Sequence, residues 1–249
     1  LSVWRAMGAG LYSGNRGRRR HPGMKLSSRI GQAMCWWWRI WKRPVSRISK
    51  SIGGKICSSW LDVFVCHFPS RYGGEKESEP DRLDAARTLR ILCDSIHSLR
   101  PAPHILIMGD FNDTPDDTSV RAILHAHPFP APCLPASGSM PVELRTETCP
   151  PLHLYNLFAG NKQATPPGSH KYQGEWSQLD QIILSSSLTD TASRMQLVPE
   201  SARIFAPPFL LTKDKTWRGE RPFRSYYGFK YEGGYSDHLP LLVDFLLLK

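Results

Sequence analysis

Four short apolar runs constrain this chain most, because each has the length of one buried strand and each is flanked or interrupted by an acid or an imidazole. They are "LDVFVCHFPS" (61–70), "HILIMGDFND" (104–113), "LDQIILSS" (179–186) and "LPLLVDFLLL" (239–248), the last directly preceded by Tyr235, Ser236, Asp237 and His238. Runs of this kind, bounded by Gly or Pro, read as strands of a buried sheet. Pro69 and Gly73-Gly74 end the first, and Gly109 breaks the second. Between them, Leu83, Ala86, Leu89, Cys93 and Ile96 recur at three- and four-residue steps, with Arg82, Asp84, Arg87 and Arg90 interleaved. That spacing predicts an amphipathic helix from Pro80 to about Ser98, stopped by Pro101 and Pro103. Thr114-Pro115-Asp116-Asp117 offers a cap, a first-turn Pro and first-turn acids for a second helix reaching about His125. A Pro-rich connection follows over 128–151. Strands alternating with helices predict an α/β domain, and no internal repeat is visible.

The formal charge of +10 suggests an acidic partner until it is divided along the chain. Residues 1–60 hold 13 Lys/Arg and no Asp or Glu, whereas 61–249 hold 19 basic against 22 acidic residues, net −3. Six of the eight tryptophans also fall in the first part (Trp4, Trp36, Trp37, Trp38, Trp41 and Trp60). The expected organisation is therefore a basic, Trp-rich segment over 1–60, disordered or translated out of frame, joined to a domain over 61–249. A cationic membrane-surface helix is a further reading of "QAMCWWWRIWKRPVSRISKSIGGK". The six cysteines include no CxxC pair and no zinc spacing. No apolar stretch reaches the roughly 20 residues of a membrane span, and no secretory signal is recognisable, which leaves the compartment unassigned.

The ionisable groups at the strand ends each have a plain structural reading. "GDFND" makes a turn and a helix cap, "SDH" alone says less, and His67 is an ordinary strand-end histidine. Asp180 is different, since a carboxylate between Leu179 and Ile182 in a core strand carries a desolvation cost unless paired, and an imidazole is its natural partner.

Taken in order, "CHFPS", "GDFND", "GEWSQLDQIIL" and "YSDHLPLLVDF" resemble the endonuclease/exonuclease/phosphatase superfamily from about residue 61 to 249, and "GSHKYQGEW" and "YYGFKYEGGYSDH" look most like its bacterial members. The resemblance implies a four-layer α/β sandwich with two central sheets and hydrolysis of a phosphoester by an activated water. It implies that Asp110 orients and deprotonates that water, that Asn112 positions the water or the phosphate, and that His238 contacts the phosphate while Asp180 holds its other nitrogen. It further implies that His67 donates to a non-bridging oxygen and that Asp237, with Asp110, holds Mg²⁺ or Mn²⁺. Carboxylates suit such hard cations, and imidazoles supply donors to phosphate oxygens.

The chain departs from that pattern at the front, where the family has a strand-end Asn and a metal-binding Glu. Residues 1–60 contain no Glu and a single Asn, Asn15. The second reading is therefore an inactive, N-terminally incomplete remnant, expected to aggregate as written. A calcineurin-like phosphoesterase is disfavoured, because neither Asp-x-His upstream nor Gly-Asn-His-Asp/Glu downstream is present. The substrate stays open among nucleic acid, phospholipid and small phosphorylated molecules, although net −3 over 61–249 argues against tight non-specific nucleic-acid binding. No stable protein partner is inferred.

Overall fold

The structure is a computed structural model that describes residues 2–8, 48–56, 59–100, 102–129, 152–160 and 164–248. In chain order the strands are β1 (Ser2–Gly8), β2 (Ile48–Ile56), β3 (Ser59–His67), β4 (His104–Asp110), β5 (Ala126–Pro128), β6 (Leu154–Asn156), β7 (His170–Tyr172), β8 (Glu175–Ser177) and β9 (Asp180–Ser185). They continue with β10 (Met195–Leu197), β11 (Arg203–Ile204), β12 (Leu211–Lys213), β13 (Glu220–Pro222), β14 (Tyr226–Tyr227), β15 (Lys230–Tyr231) and β16 (Leu241–Leu247). The α-helix among the described residues is α1 (Glu75–Leu99).

Six strands in the order β2-β3-β4-β9-β6-β5 form a mixed sheet, in which β3 is parallel to β4 and β4 antiparallel to β9. A second sheet gathers β1, β10 and β11 around β16, all antiparallel. The period-two alternation of strands divides the apolar residues of the larger sheet between two cores. Phe64, Cys66, Ile105, Ile107 and Ile183 pack with Ala85, Ala86, Leu89 and Cys93 of α1. Leu106, Met108, Ile182 and Leu184 pack with Leu241, Val243 and Phe245 of β16. Helix, sheet and sheet thus stack as layers of an α/β sandwich, and each fully buried Ile or Phe contributes roughly 1.5–3 kcal/mol of burial.

Of the first 60 residues, 2–8 and 48–56 are strand, and the expected boundary at residue 60 falls inside β3. Residues 9–47 and 57–58, with the readings that fall on them, lie outside the described residues.

Three local expectations are corrected. The helix starts at Glu75, five residues before Pro80, after Gly74 at φ 131, a backbone angle that glycine adopts readily. The second helix does not form, although Thr114 donates from N (2.6 Å) and Oγ1 (2.9 Å) to Asp117 Oδ2, a contact of the kind that caps a helix start. That tight turn leads only into a five-residue π-helical turn, Ser119–Ile123. Finally, β4 runs through Gly109 to Asp110. Gly109 is needed there, since at φ 136 any Cβ would collide with the carbonyl oxygen of Cys66.

Candidate active site

Register places three ionisable groups side by side. His67 at the end of β3 pairs with Asp110 at the end of β4, and Asp110 pairs with Asp180 at the start of β9. Each is in phase with the residues facing the second sheet: Asp110 with Leu106 and Met108, Asp180 with Ile182 and Leu184, His67 with Leu61. The alternation that buries the inter-sheet core therefore delivers a histidine and two carboxylates to one rim of it.

From the second sheet, His238 arrives three residues before β16. Leu239 N donates to Ser169 O at 2.7 Å, and His170 and His238 form an antiparallel bridge. His238 Nδ1 lies 2.6 Å from Asp180 Oδ2, which also accepts from Ser169 Oγ at 2.6 Å. Asp180 is 0% exposed, so the partner that its sequence position demanded is in place, yet its Oδ1 is buried with no hydrogen-bond partner among the described residues. His238 Nε2 stands 3.9 Å and His67 Nε2 3.7 Å from the same oxygen, Asp110 Oδ2.

The GDFND loop aims Asp110. Asn112, at φ 48, donates from its backbone N to Asp110 Oδ1 at 2.8 Å, and from Nδ2 to Asp110 Oδ2 at 3.3 Å and Phe68 O at 3.0 Å. Asn is among the residues that tolerate this left-handed geometry. Behind the loop, Arg82, expected on the polar face of α1, is only 1% exposed. Its Nε donates to Asp113 Oδ1 at 2.6 Å, and Ser119 Oγ donates to Asp113 Oδ2 at 2.6 Å. Arg71 Nε donates to Asn112 O at 2.6 Å.

Electrostatics follow from this crowding. Burial, then the charge of Asp180, pushes the Asp110 carboxyl up to about 6, against the opposing pull of His238, the Asn112 amide and His67. Burial works against a charged His238, but the charge and hydrogen bond of Asp180, with Asp110 and Asp237, outweigh it and lift the imidazole to about 9. His170 is driven down to about 4 by burial and by the charge of His238. At neutral pH, then, His238 is an imidazolium and His170 is neutral.

Among the predicted residues, Asp110, Asn112, Asp180 and His238 converge and His67 stands at the rim, its side chain 51% exposed. Asp237 gathers with His170 and His238. Two sets of donor atoms, Asp110-Asp180-His238 and His170-Asp237-His238, each lie within 4.8 Å of one another and could hold a metal ion. Sequence reasoning passed over Ser169 and His170, although "GSHKYQGEW" contains both, and over the loop-holding Arg71 and Arg82.

The family model for the Endonuclease/Exonuclease/phosphatase family matches residues 43–246. The chain belongs to that family. Among curated proteins none matches. Similar solved structures include a humanized TDP2 of D. rerio carrying 14 mutations, at 14% identity and TM-score 0.41, covering 78% of this chain and 58% of that one. The human Nocturnin catalytic domain with bound sulfate is similar at 18% identity and TM-score 0.40, over 79% and 51%. A mannosyl-6-phosphatase of Bacteroides thetaiotaomicron gives 14% and 0.41, over 77% and 53%. The chain thus spans little more than half the length of these structures.

Proposed function

We propose that this family member is a metal-dependent phosphoesterase whose reaction centre is the row His67, Asp110, Asp180 together with His238. The observation that carries the reading is the shared oxygen, Asp110 Oδ2, faced by two imidazole nitrogens at 3.7 and 3.9 Å. A buried carboxylate near pKa 6 is a competent base at neutral pH. In this reading Asp110 takes the proton of the attacking water, and Asn112, locked to both oxygens of Asp110, keeps that carboxylate aimed. His238, held through Nδ1 by Asp180, donates from Nε2 to a non-bridging phosphate oxygen, and His67 donates to another. Bringing an imidazolium to the phosphate before reaction is electrostatic preorganisation, which removes the need for solvent to reorganise.

The donor set suits a divalent cation in charge: Asp110 is held above its ordinary range by burial and by Asp180, a penalty that a neighbouring cation relieves. Asp110 and Asp237 would supply oxygens to Mg²⁺ or Mn²⁺, with water filling other positions. When bound, such an ion neutralises phosphate charge and lowers the pKa of water.

The experiment is hydrolysis of bis-p-nitrophenyl phosphate by the full chain with Mg²⁺ or Mn²⁺, with and without chelator, alongside Asp110→Asn. Chelator-sensitive turnover that the substitution abolishes supports the reading. A folded chain with no turnover favours the inactive alternative, which the lack of any Glu in residues 1–60 supports.

A further inference from the structure

Residues 205–235, which run through the hairpins β12–β13 and β14–β15, hold six Lys/Arg against three acidic residues, although 61–249 as a whole is net −3. Two of those cations share one ring. The guanidinium carbons of Arg221 and Arg224 stand 4.9 and 5.0 Å from the centroid of Tyr227. Their remaining contacts differ. Arg221 is 8% exposed, and its Nη2 donates to both oxygens of Glu232 at 2.9 and 2.7 Å, so its charge is engaged within the fold. Arg224 has no carboxylate partner among the described residues, and its Nε is buried with no hydrogen-bond partner among them. We propose that Arg224 binds a second anionic group of the substrate, a phosphate or a carboxylate, beside the scissile phosphate, and so selects among phosphoesters.

Backbone pairing fixes where that guanidinium is carried. Gly234 N donates to Arg224 O at 3.2 Å and Tyr235 N to Phe223 O at 2.6 Å, while Ser225 Oγ donates to the carbonyl oxygens of Gly234 and Tyr235 at 3.1 and 3.0 Å. Arg224 therefore sits on a segment pinned to the residues that lead directly into Asp237 and His238. Its charge is also felt at His170, where burial first, then the charge of His238, lowers the imidazole and Arg224 adds to that lowering. The His170 ring stands 4.6 Å from that of His238. Arg224 is thus a neighbour of the reaction centre and not a member of it.

The chemistry of the side chain decides the class of ligand. A guanidinium is planar and permanently charged, and its paired N–H donors match two oxygens of a phosphate or a carboxylate. Tyr227 behind it supports the cation by its ring face and leaves the in-plane donors free for that group. A buried donor without a partner calls for an explanation, and an anionic substrate group supplies one. The task of tying the two hairpins together falls instead to Arg221, whose partner Glu232 lies 11 residues away.

This assignment rests on the phosphoesterase reading, and binding of non-hydrolysable probes separates the two. Alkylphosphonates carry one anion, and α,ω-alkanebisphosphonates of graded spacer length carry two; ω-carboxyalkylphosphonates distinguish a carboxylate from a phosphate as the second. Each is titrated into the full chain by calorimetry with Mg²⁺ in excess. At least one spacer length of the doubly anionic probes should bind about tenfold to a hundredfold tighter than the matching alkylphosphonate, the worth of one charge-assisted contact. Arg224→Gln should lose that preference, and Arg224→Lys, which keeps the charge without the fork, should retain only part of it. Phenylglyoxal modification of the native chain, mapped by mass spectrometry, decides the matter even if Arg224→Gln does not fold: the favoured probe should slow modification of Arg224 and the alkylphosphonate should not. Bound alkylphosphonate with no preference at any spacer length overturns this assignment alone, whereas a native chain that binds neither series overturns the phosphoesterase reading with it. A folded Arg224→Gln that keeps the preference, or an Arg224 modified equally fast under the favoured probe, also overturns it.

Discussion

Two buried acid–base pairs flank the same loop at the same distance, yet one is closed and the other open. Arg82 Nε and Asp113 Oδ1 meet at 2.6 Å, and both oxygens of Asp113 and all three guanidinium nitrogens of Arg82 have partners. His238 Nδ1 and Asp180 Oδ2 also meet at 2.6 Å, but among the described residues Asp180 Oδ1 has no hydrogen-bond partner, and His238 Nε2 stands 3.9 Å from Asp110 Oδ2. A fully satisfied pair gains nothing from a ligand and serves to hold structure. An unsatisfied one leaves donors and acceptors that a substrate or an ion can complete, and buried groups left in that state mark function more often than packing.

The sharpest way to break this comparison is to neutralise the carboxylate of the open pair. Asp180→Asn keeps size and hydrogen-bonding shape but removes the charge that holds His238 as an imidazolium. Turnover should fall by about 10³–10⁴, as for other Asp–His pairs, while circular dichroism stays close to native and the melting temperature drops with the loss of the pairing that raises His238. A loss of less than threefold would remove Asp180 from the mechanism.

At the closed pair the expected effect moves from rate to stability. Arg82→Met takes from the buried Asp113 the nearer of its two guanidinium partners, leaving Arg71 at 3.3 Å, and removal of one partner from a buried pair costs up to about 3–5 kcal/mol. Denaturant unfolding checks this. A midpoint unchanged from native would mean that Asp113 is satisfied by Ser119 and Arg71 alone, and that the closed pair is dispensable.

The contrast between the pairs also separates what was legible in the sequence from what was not. Asp180 stood out because a carboxylate in an apolar strand asks for a partner, and the period of two places it on the face of Ile182 and Leu184. Asp110 and His238 were legible as strand-end residues. Arg82 was not, because its helix position reads as solvent-facing by local spacing, and its partner lies 31 residues away on a loop whose course no local pattern fixes. The same non-locality hid β1, an edge strand whose partner, β16, lies at the other end of the chain. The second helix ends as a five-residue π-helical turn although Asp117 accepts from Thr114 as a cap acid does, and nothing in the local spacing signals that early stop.

A third, smaller test uses pH. His238 has its folded value raised from 6.5 to about 9, so its contribution to stability is fully present below pH 6.5 and is lost as pH rises through 9. Asp110 titrates below this window, its value having been raised only to about 6. Melting temperatures of the native chain should therefore fall more steeply between pH 6.5 and 9 than those of His238→Gln. Parallel curves would show that Asp180 does not hold a charged imidazole.

The smallest expected effect belongs to Ser169, which sharpens the comparison by partly opening the pair's supporting side. Its hydroxyl donates to Asp180 Oδ2 at 2.6 Å, and its oxygen lies 3.3 Å from the Asp180 backbone N–H. Ser169→Ala removes both contacts without altering charge, leaving His238 as the one side-chain partner of the Asp180 carboxylate among the described residues. A single buried hydrogen bond of this kind contributes about 1–3 kcal/mol, and part of that loss falls on stability rather than rate. Turnover should drop about tenfold with the substrate KM unchanged, because the hydroxyl acts on the carboxylate behind His238 and not on substrate. Ser169→Thr, which keeps the hydroxyl, should recover most of that loss if the added methyl fits. A KM effect in the alanine variant with turnover intact would place Ser169 against the substrate, and the division between a supporting shell and a reacting row would have to be redrawn.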